Sequence, residues 1–243
     1  MQLSIVIPAY NEEERIGLSL QKILDFGKRE FDACEVLVVD DGSTDRTVEV
    51  VESFSEVRCL QNVSNQGKGR SVCRGVMAAT LDPVLFTDTD LSTPIEEALD
   101  LLNAIRGGAD VAVGSRGFGG GKIVQRKHFR RLRASVFRWT VKLFALRGFH
   151  DTQCGFKMFR RQAARRVFAL QRLDGWAFDV ELLLISRLLG YSIREVPVEW
   201  HESTRSSVPI WGPFQMVVDL VKVRWFQLRG LYRPCAEEEE IKT

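Results

Sequence analysis

The chain alternates short, continuous apolar runs with longer stretches whose apolar residues recur every three to four positions. "LSIVIP" precedes Glu12 to Leu24, "EVLVVD" precedes Thr44 to Phe54, "VRCLQN" precedes Lys68 to Ala79, "PVLFTD" precedes Pro94 to Arg106, and "DVAVGS" closes the series. The runs are rich in Val, Ile and Leu and do not alternate with polar residues, as expected of strands buried on both faces. Strand–helix repetition of this kind implies right-handed crossovers and an α/β, doubly wound, mostly parallel sheet. Such a sheet binds ligands outside the carboxyl ends of its strands. Those ends carry the polar residues here: Tyr10-Asn11-Glu12, "DDGSTD" from Asp40, "NQGKG" from Asn65, "DTDLST" from Asp88, and "GSRG" around Arg116.

The second half is less regular. "GFGGGK" (117–122) reads as a loop and 131–147 as a basic helix. "CGFKMFRR" reads as a short strand leading into a helix, "DVELLLISRLLG" as an apolar helix ended by Gly190, and "SIREVPVEW" as a strand. A polar loop over 201–212 precedes "GPFQMVVDLVKVRWFQLRG", a closing amphipathic helix. The division this implies is an α/β domain over 1–212, an amphipathic C-terminal helix over 213–232 and an acidic, disordered tail over 233–243. A length of 243 residues suits one such domain with an extension.

Five cysteines, odd in number and without a CxxC pair, argue against a disulfide framework or a zinc site and for a reducing compartment. The N-terminus has neither a basic n-region nor a long apolar h-region, so no signal peptide is expected. No uncharged run approaches the roughly 20 residues a membrane-spanning helix needs. The net charge is only +2, but its distribution is uneven. Between Asp110 and Asp151 there is no acid and there are ten Lys or Arg, among them Arg116, Arg130, Arg131 and Arg133. A solvated helix face would give the same block; an anionic partner is the functional alternative.

Asp88 and Asp90 follow an apolar strand one residue apart. Side chains at i and i+2 of a strand share a face, and two adjacent carboxylates need a positive charge between them. Hard oxygen ligands suit Mg2+ or Mn2+, which retain waters and also bind phosphate oxygens. Ser92 or Thr93 can cap the next helix without either acid. Asp40 and Asp41 stand at another strand end, where carboxylates can accept from a base N–H or ribose hydroxyls. Lys68, between two glycines at a helix start, offers backbone N–H groups and a cation to an anion such as phosphate.

"IVIPAYNEEERI", "VLVVDDGSTDRT", "NQGKGRSV", "FTDTDLSTP" and "VAVGSRG" together resemble glycosyltransferase family two, the inverting enzymes of GT-A fold. "DTQCGFKMFRR", "GWAFDVELLLI" and "VPVEWHE" look like its dolichyl-phosphate β-glucosyltransferase branch, and the resemblance spans roughly 2–207. The eukaryotic enzymes of that branch carry an N-terminal membrane anchor; none is expected from this sequence, which would fit a bacterial or archaeal polyprenyl-phosphate enzyme. The resemblance implies a metal-dependent transferase moving a hexose from a nucleotide-diphosphate sugar, UDP-glucose in the first instance, to a polyprenyl or dolichyl phosphate. By the same resemblance Pro8, Tyr10, Glu12, Asp40 and Asp41 would serve the nucleotide, with Lys68 near the base or phosphates. Asp88 would face the ribose and share the metal with Asp90. Arg116 would contact phosphate, one of Arg130, Arg131 and Arg133 (Arg131 preferred) would hold the acceptor, and Arg205 would fold over the diphosphate.

A lipid phosphate is mostly dianionic at pH 7, its second pKa being about 6, so it needs cations rather than a general base. Basic, aromatic stretches at 131–147 and 214–232 would suit a membrane surface. The expected location is therefore cytoplasmic and peripheral on the inner face of the plasma membrane, with no nucleic-acid partner. His128, His150 and His201 lack metal-ligand spacing. Asp151 and Gln153 are candidates for the sugar or acceptor site, and Asp179 and Glu181 for orienting nearby loops. Three rivals stand beside this reading: a haloacid-dehalogenase-like phosphatase, whose motif "DTDLS" nearly matches but which belongs on a first strand; a non-catalytic nucleotide-sugar-binding module; and transfer to a protein, polysaccharide or small molecule.

Overall fold

The computed structural model describes residues 1–116, 123–124, 148–201 and 212–233. The basic helix expected at 131–147, Arg130, Arg131, Arg133, Arg205, the 117–122 loop and the acidic tail from 234 lie outside the described residues. The strands are β1 (Gln2–Ala9), β2 (Ala33–Asp40), β3 (Val57–Gln61), β4 (Val84–Phe86), β5 (Val111–Arg116), β6 (Ile123–Val124), β7 (Lys157–Phe159), β8 (Ile193–Val198) and β9 (Trp200–His201). Seven form one sheet in the order β3-β2-β1-β4-β7-β5-β8, and β6 pairs with β9 as a separate ribbon.

Both faces of the sheet are covered, which is why its strands read as unbroken apolar runs. Along β1, Leu3, Ile5 and Ile7 enter one core. It also holds residues of α1 (Ile16–Glu30), α2 (Thr47–Glu52) and α4 (Ala98–Arg106). Val6 points the other way, into a core shared with α3 (Lys68–Ala78), α5 (Arg161–Ala169), α6 (Phe178–Leu188) and α7 (Gly212–Leu228). β2 divides likewise, with Val36 and Val38 on one side and Leu37 and Val39 on the other.

Two differences from the sequence expectation shape the edge where the polar loops converge. α1 begins at Ile16 rather than Glu12. The stretch before it is drawn into a loop, where Glu12 N–H donates to Thr47 Oγ1 at 2.8 Å and the Glu12 carboxylate pairs with Arg15. More consequential is β7, which runs antiparallel between β4 and β5. The chain reaches it from Gly155, beside Asp88 at the carboxyl edge of the sheet, and therefore enters β7 in the opposite direction. This one reversal carries Gln153, Cys154 and Gly155 to the edge where the polar loops converge.

Candidate active site

The loops after β1, β2, β3 and β4 meet around a cleft of about 530 Å3, within the range of small-molecule sites, about 300–1,000 Å3. Cross-bonds hold these loops in register. Asn11 N–H donates to Ser43 Oγ at 2.9 Å, and Asn11 Oδ1 accepts from Thr44 N–H at 2.8 Å. Thr89 Oγ1 donates to the Pro8 carbonyl at 2.7 Å, tying the fourth loop to the first.

Asp88 and Asp90 both line the cleft, with different neighbours. Asp88 forms an ion pair with Lys68 and is pressed against the Gly155 backbone. A Cβ at Gly155 would lie 2.5 Å from Asp88 Oδ2, so no side chain fits there without moving the carboxylate. Asp90 Oδ1 accepts from Ser92 N–H at 3.0 Å, and its Oδ2 lies 4.0 Å from Arg15 Nη1. Among the described residues no third His, Cys, Asp or Glu joins them as a metal-binding group. Two hard carboxylates beside an open cleft fit Mg2+ or Mn2+, which complete their shell with water and phosphate oxygens, and not a closed, all-protein site.

Cations line the same walls. Burial works against the charged form of Lys68, yet the carboxylates of Asp88, Asp179 and Asp90 outweigh it and hold its pKa above the ordinary value. The Lys68 ammonium lies 5.4 Å from the centre of the Trp176 ring. Arg116, at the end of β5, makes a bidentate pair with Asp151: Nε to Oδ2 at 2.6 Å and Nη2 to Oδ1 at 3.0 Å. Its guanidinium also stands 5.5 Å from the Trp200 ring. Burial opposes the charge of Arg116 too, but Asp151 keeps its pKa raised. The buried thiol of Cys154 is pushed up to about 11 by burial and stays protonated.

Beneath the cleft lies a fully buried ion pair, Lys157 with Asp179. Lys157 Nζ also donates to the Cys154 carbonyl at 2.6 Å. Burial raises the Asp179 pKa, and Lys157 and Lys68 only partly offset that. Charges thus alternate from the interior outward: Lys157, Asp179, Lys68, Asp88.

Pro8, Tyr10, Glu12, Asp41, Lys68, Asp88, Asp90 and Arg116 all line the cleft. Asp40 does not; it is buried beneath the second loop, where Oδ2 accepts from Gly42 and Ser43 N–H groups. Asp41 lines the cleft while its oxygens hold the third loop, accepting from Asn62 Nδ2 (2.7 Å), Gln66 N–H (2.9 Å) and Gly67 N–H (2.8 Å). The backbone at the start of α3 also differs from the expectation of an open anion site. Gly69 and Arg70 N–H groups donate to the Asp174 carbonyl at 2.7 and 3.3 Å, so a phosphate there would meet the Lys68 side chain rather than those amides. Gly67 permits this approach: at φ +100° it has no side chain, and a Cβ would sit 2.4 Å from that carbonyl.

Arg15, Trp176 and Trp200 also line the cleft and were not singled out by the sequence. Trp176 lies in "GWAFD", and its only sequence signal is an aromatic residue just before a buried acid. Asp151 serves the site through Arg116, and Gln153 reaches the cleft.

A doubly wound sheet with one inserted antiparallel strand and an aspartate pair at its carboxyl edge defines the GT-A class of glycosyltransferase folds. Solved structures agree. Glucosyl-3-phosphoglycerate synthase from Mycobacterium tuberculosis, crystallised with Mn2+, UDP-glucose and phosphoglyceric acid, superposes with a TM-score of 0.69 at 20% identity, over 97% of this chain and 81% of that one. Mannosyl-3-phosphoglycerate synthase from Rubrobacter xylanophilus gives 0.68 at 20% identity, over 95% and 75%. At such identities the likeness is one of fold. Sequence carries it further. The chain belongs to glycosyl transferase family 2, whose model matches residues 4–168. It is 38% identical to the dolichyl-phosphate beta-glucosyltransferase of Mus musculus over 251 residues, covering 96% of this chain and 78% of that protein. The Drosophila melanogaster protein of the same description is 37% identical over 262 residues, covering 100% and 80%.

Proposed function

We propose that the chain transfers a hexose, glucose in the first instance, from UDP-glucose to the phosphate of a polyprenyl or dolichyl phosphate, with inversion and with Mg2+ or Mn2+. The observation that carries this reading is the pairing of Asp88 and Asp90 with Lys68, Arg15 and Arg116 around one cleft. The chain that bears this cleft resembles dolichyl-phosphate beta-glucosyltransferases along nearly its whole length.

Asp88 and Asp90 would hold the divalent cation, which when bound acts as a Lewis acid toward the diphosphate leaving group. Lys68 and Arg15 add positive charge on either side of the two aspartates. Asp151 fixes the Arg116 guanidinium at the cleft wall, where it would meet a phosphate together with one of Arg130, Arg131 or Arg133. Arg205 would close over the donor diphosphate. Because the acceptor is already an anion at pH 7, these residues need only bring two phosphates into line and screen their repulsion.

Among the described residues no helix is long and apolar enough to cross a membrane. α7 nevertheless turns Val217, Val218, Val221, Trp225 and Leu228 outward, and Trp225 and Leu228 are 49% and 74% exposed. Lys222, Arg224 and Arg229 flank this stripe on the helical wheel. Its opposite face, with Leu220 and Val223, is buried in the core, so α7 is apolar on two sides rather than simply amphipathic. Met216, on the same helix, touches the cleft-lining Gln153. An apolar, basic-flanked stripe on a helix that reaches the cleft supports peripheral attachment to a membrane that carries the acceptor.

The test is a panel of nucleotide sugars with Mn2+ and a short polyprenyl phosphate, read by mass. A hexosyl phospholipid from one donor, absent with Asp90→Ala, is the expected result. Release of nucleoside diphosphate without a lipid product would move the acceptor elsewhere. Donor binding without turnover would turn the reading to a binding module.

A further inference from the structure

A continuous run of contacts joins the cleft to the C-terminal end of the described chain. Tyr232 is buried and donates its hydroxyl to Glu181 Oε1 at 2.7 Å. Glu181, fully buried on α6, also accepts from the Arg172 N–H at 3.1 Å and the Leu173 N–H at 2.9 Å. The next residue, Asp174, places its carbonyl on the Gly69 and Arg70 N–H groups beside Lys68. The Gln171 amide bridges the same two stretches, donating to the Gly69 carbonyl at 2.9 Å and the Leu173 carbonyl at 2.8 Å. Two residues beyond Asp174, Trp176 stands against Lys68. On the far side Arg172 donates to the Leu231 carbonyl at 3.3 Å, and Phe226 meets the Tyr232 ring edge-on at 6.2 Å.

Burying a carboxylate is unfavourable unless donors surround it. A leucine at position 181 would complete the apolar α6 without that cost. What Glu181 adds is direction: three donors from two segments converge on it, so the place of residues 171–176 depends on where the C-terminal segment sits. Within this network the Glu181 carboxylate is satisfied while Gln171 Oε1 has no partner, so it is the donors on Glu181 that specify the local geometry.

We propose that Tyr232 and Glu181 are positioning residues, which fix the 171–176 segment and with it the Trp176–Lys68 wall in the arrangement that donor binding uses. The kinetic part of this proposal rests on the donor reading above; its structural part does not.

The full-length protein labelled with 5-fluorotryptophan gives a fluorine resonance for Trp176, assigned by its loss in Trp176→Phe. Tyr232→Phe is expected to shift or broaden that line. It is also expected to raise the KM for UDP-glucose roughly two- to tenfold, the effect of one hydrogen bond, with a smaller change in kcat. Leu20→Ala, on the opposite face of the sheet, is expected to lower the melting temperature and leave the line in place. Tyr232→Phe added to Glu181→Leu should do no more than Glu181→Leu alone, because the leucine already removes the acceptor of that contact. A Trp176 line unmoved by Tyr232→Phe, with KM unchanged and only the melting temperature lowered, would overturn the proposal. A moved line in a protein that turns over no nucleotide sugar would uphold the positioning role and sink the donor reading instead.

Discussion

Asp88 and Asp90 are two positions apart in sequence, yet their surroundings differ. Asp88 is neutralised by Lys68 and wedged by the Gly155 backbone, while Asp90 keeps an oxygen toward the cleft with Arg15 at 4.0 Å. Asp90→Ala should therefore lower turnover about a hundredfold or more with an unchanged fold, as loss of a group that stabilises developing charge does. Gly155→Ala should also lower turnover, because its methyl group must push the Asp88 carboxylate aside; steady-state kinetics beside a circular dichroism spectrum separates this from misfolding. Asp151 supplies a pH test. Burial alone would raise its pKa, but the charge and hydrogen bonds of Arg116 hold it below the ordinary 3.8. A carboxylate with a depressed folded pKa contributes stability above its unfolded value and loses it as pH falls through the folded one. Wild type should exceed Asp151→Asn by roughly 1–3 kcal/mol at pH 7, and urea midpoints should show the gap narrowing below about pH 4.

At the scale of elements, the strand–helix alternation of the first half was legible because each strand is buried on both faces and each helix on one. The carboxyl-edge loops followed from it, and with them most of the cleft lining. The direction of β7 was not legible. Three residues are too few for a periodic signal, and their direction depends on where the chain re-enters the sheet. Lys157 was missed for a related reason: a lysine within an apolar run suggests exposure, and its partner Asp179 lies 22 residues on. Removing Lys157 should leave the buried Asp179 without its direct partner and with only Lys68 to offset it; Lys157→Met should destabilise the protein by about 3–5 kcal/mol, read by chemical denaturation. α3 packs so closely on the sheet that a Cβ at Gly75 would lie 2.3 Å from Val6 Cγ1. Gly75→Ala should therefore lower stability by about 1–3 kcal/mol through overpacking, with KM unaltered because Gly75 is outside the cleft.

Across the whole molecule, the helix that carries the outward stripe also reaches the cleft: α7 touches Gln153 through Met216 at one end and leads to Tyr232 at the other. A transferase with a lipid acceptor needs its mouth near the bilayer, and this arrangement would provide it. In a flotation assay with anionic vesicles the protein should rise with the lipid, and replacing Val221 and Trp225 by glutamate should reduce the bound fraction. The central claim is that the bond formed joins sugar to lipid phosphate. Phosphorus NMR of vesicles carrying polyprenyl phosphate, supplied with UDP-glucose, Mn2+ and the protein, tests it most directly. The lipid phosphomonoester signal should be replaced by a phosphodiester as UDP appears, and should persist with Asp90→Ala. UDP released while the lipid monoester stays intact would contradict the account.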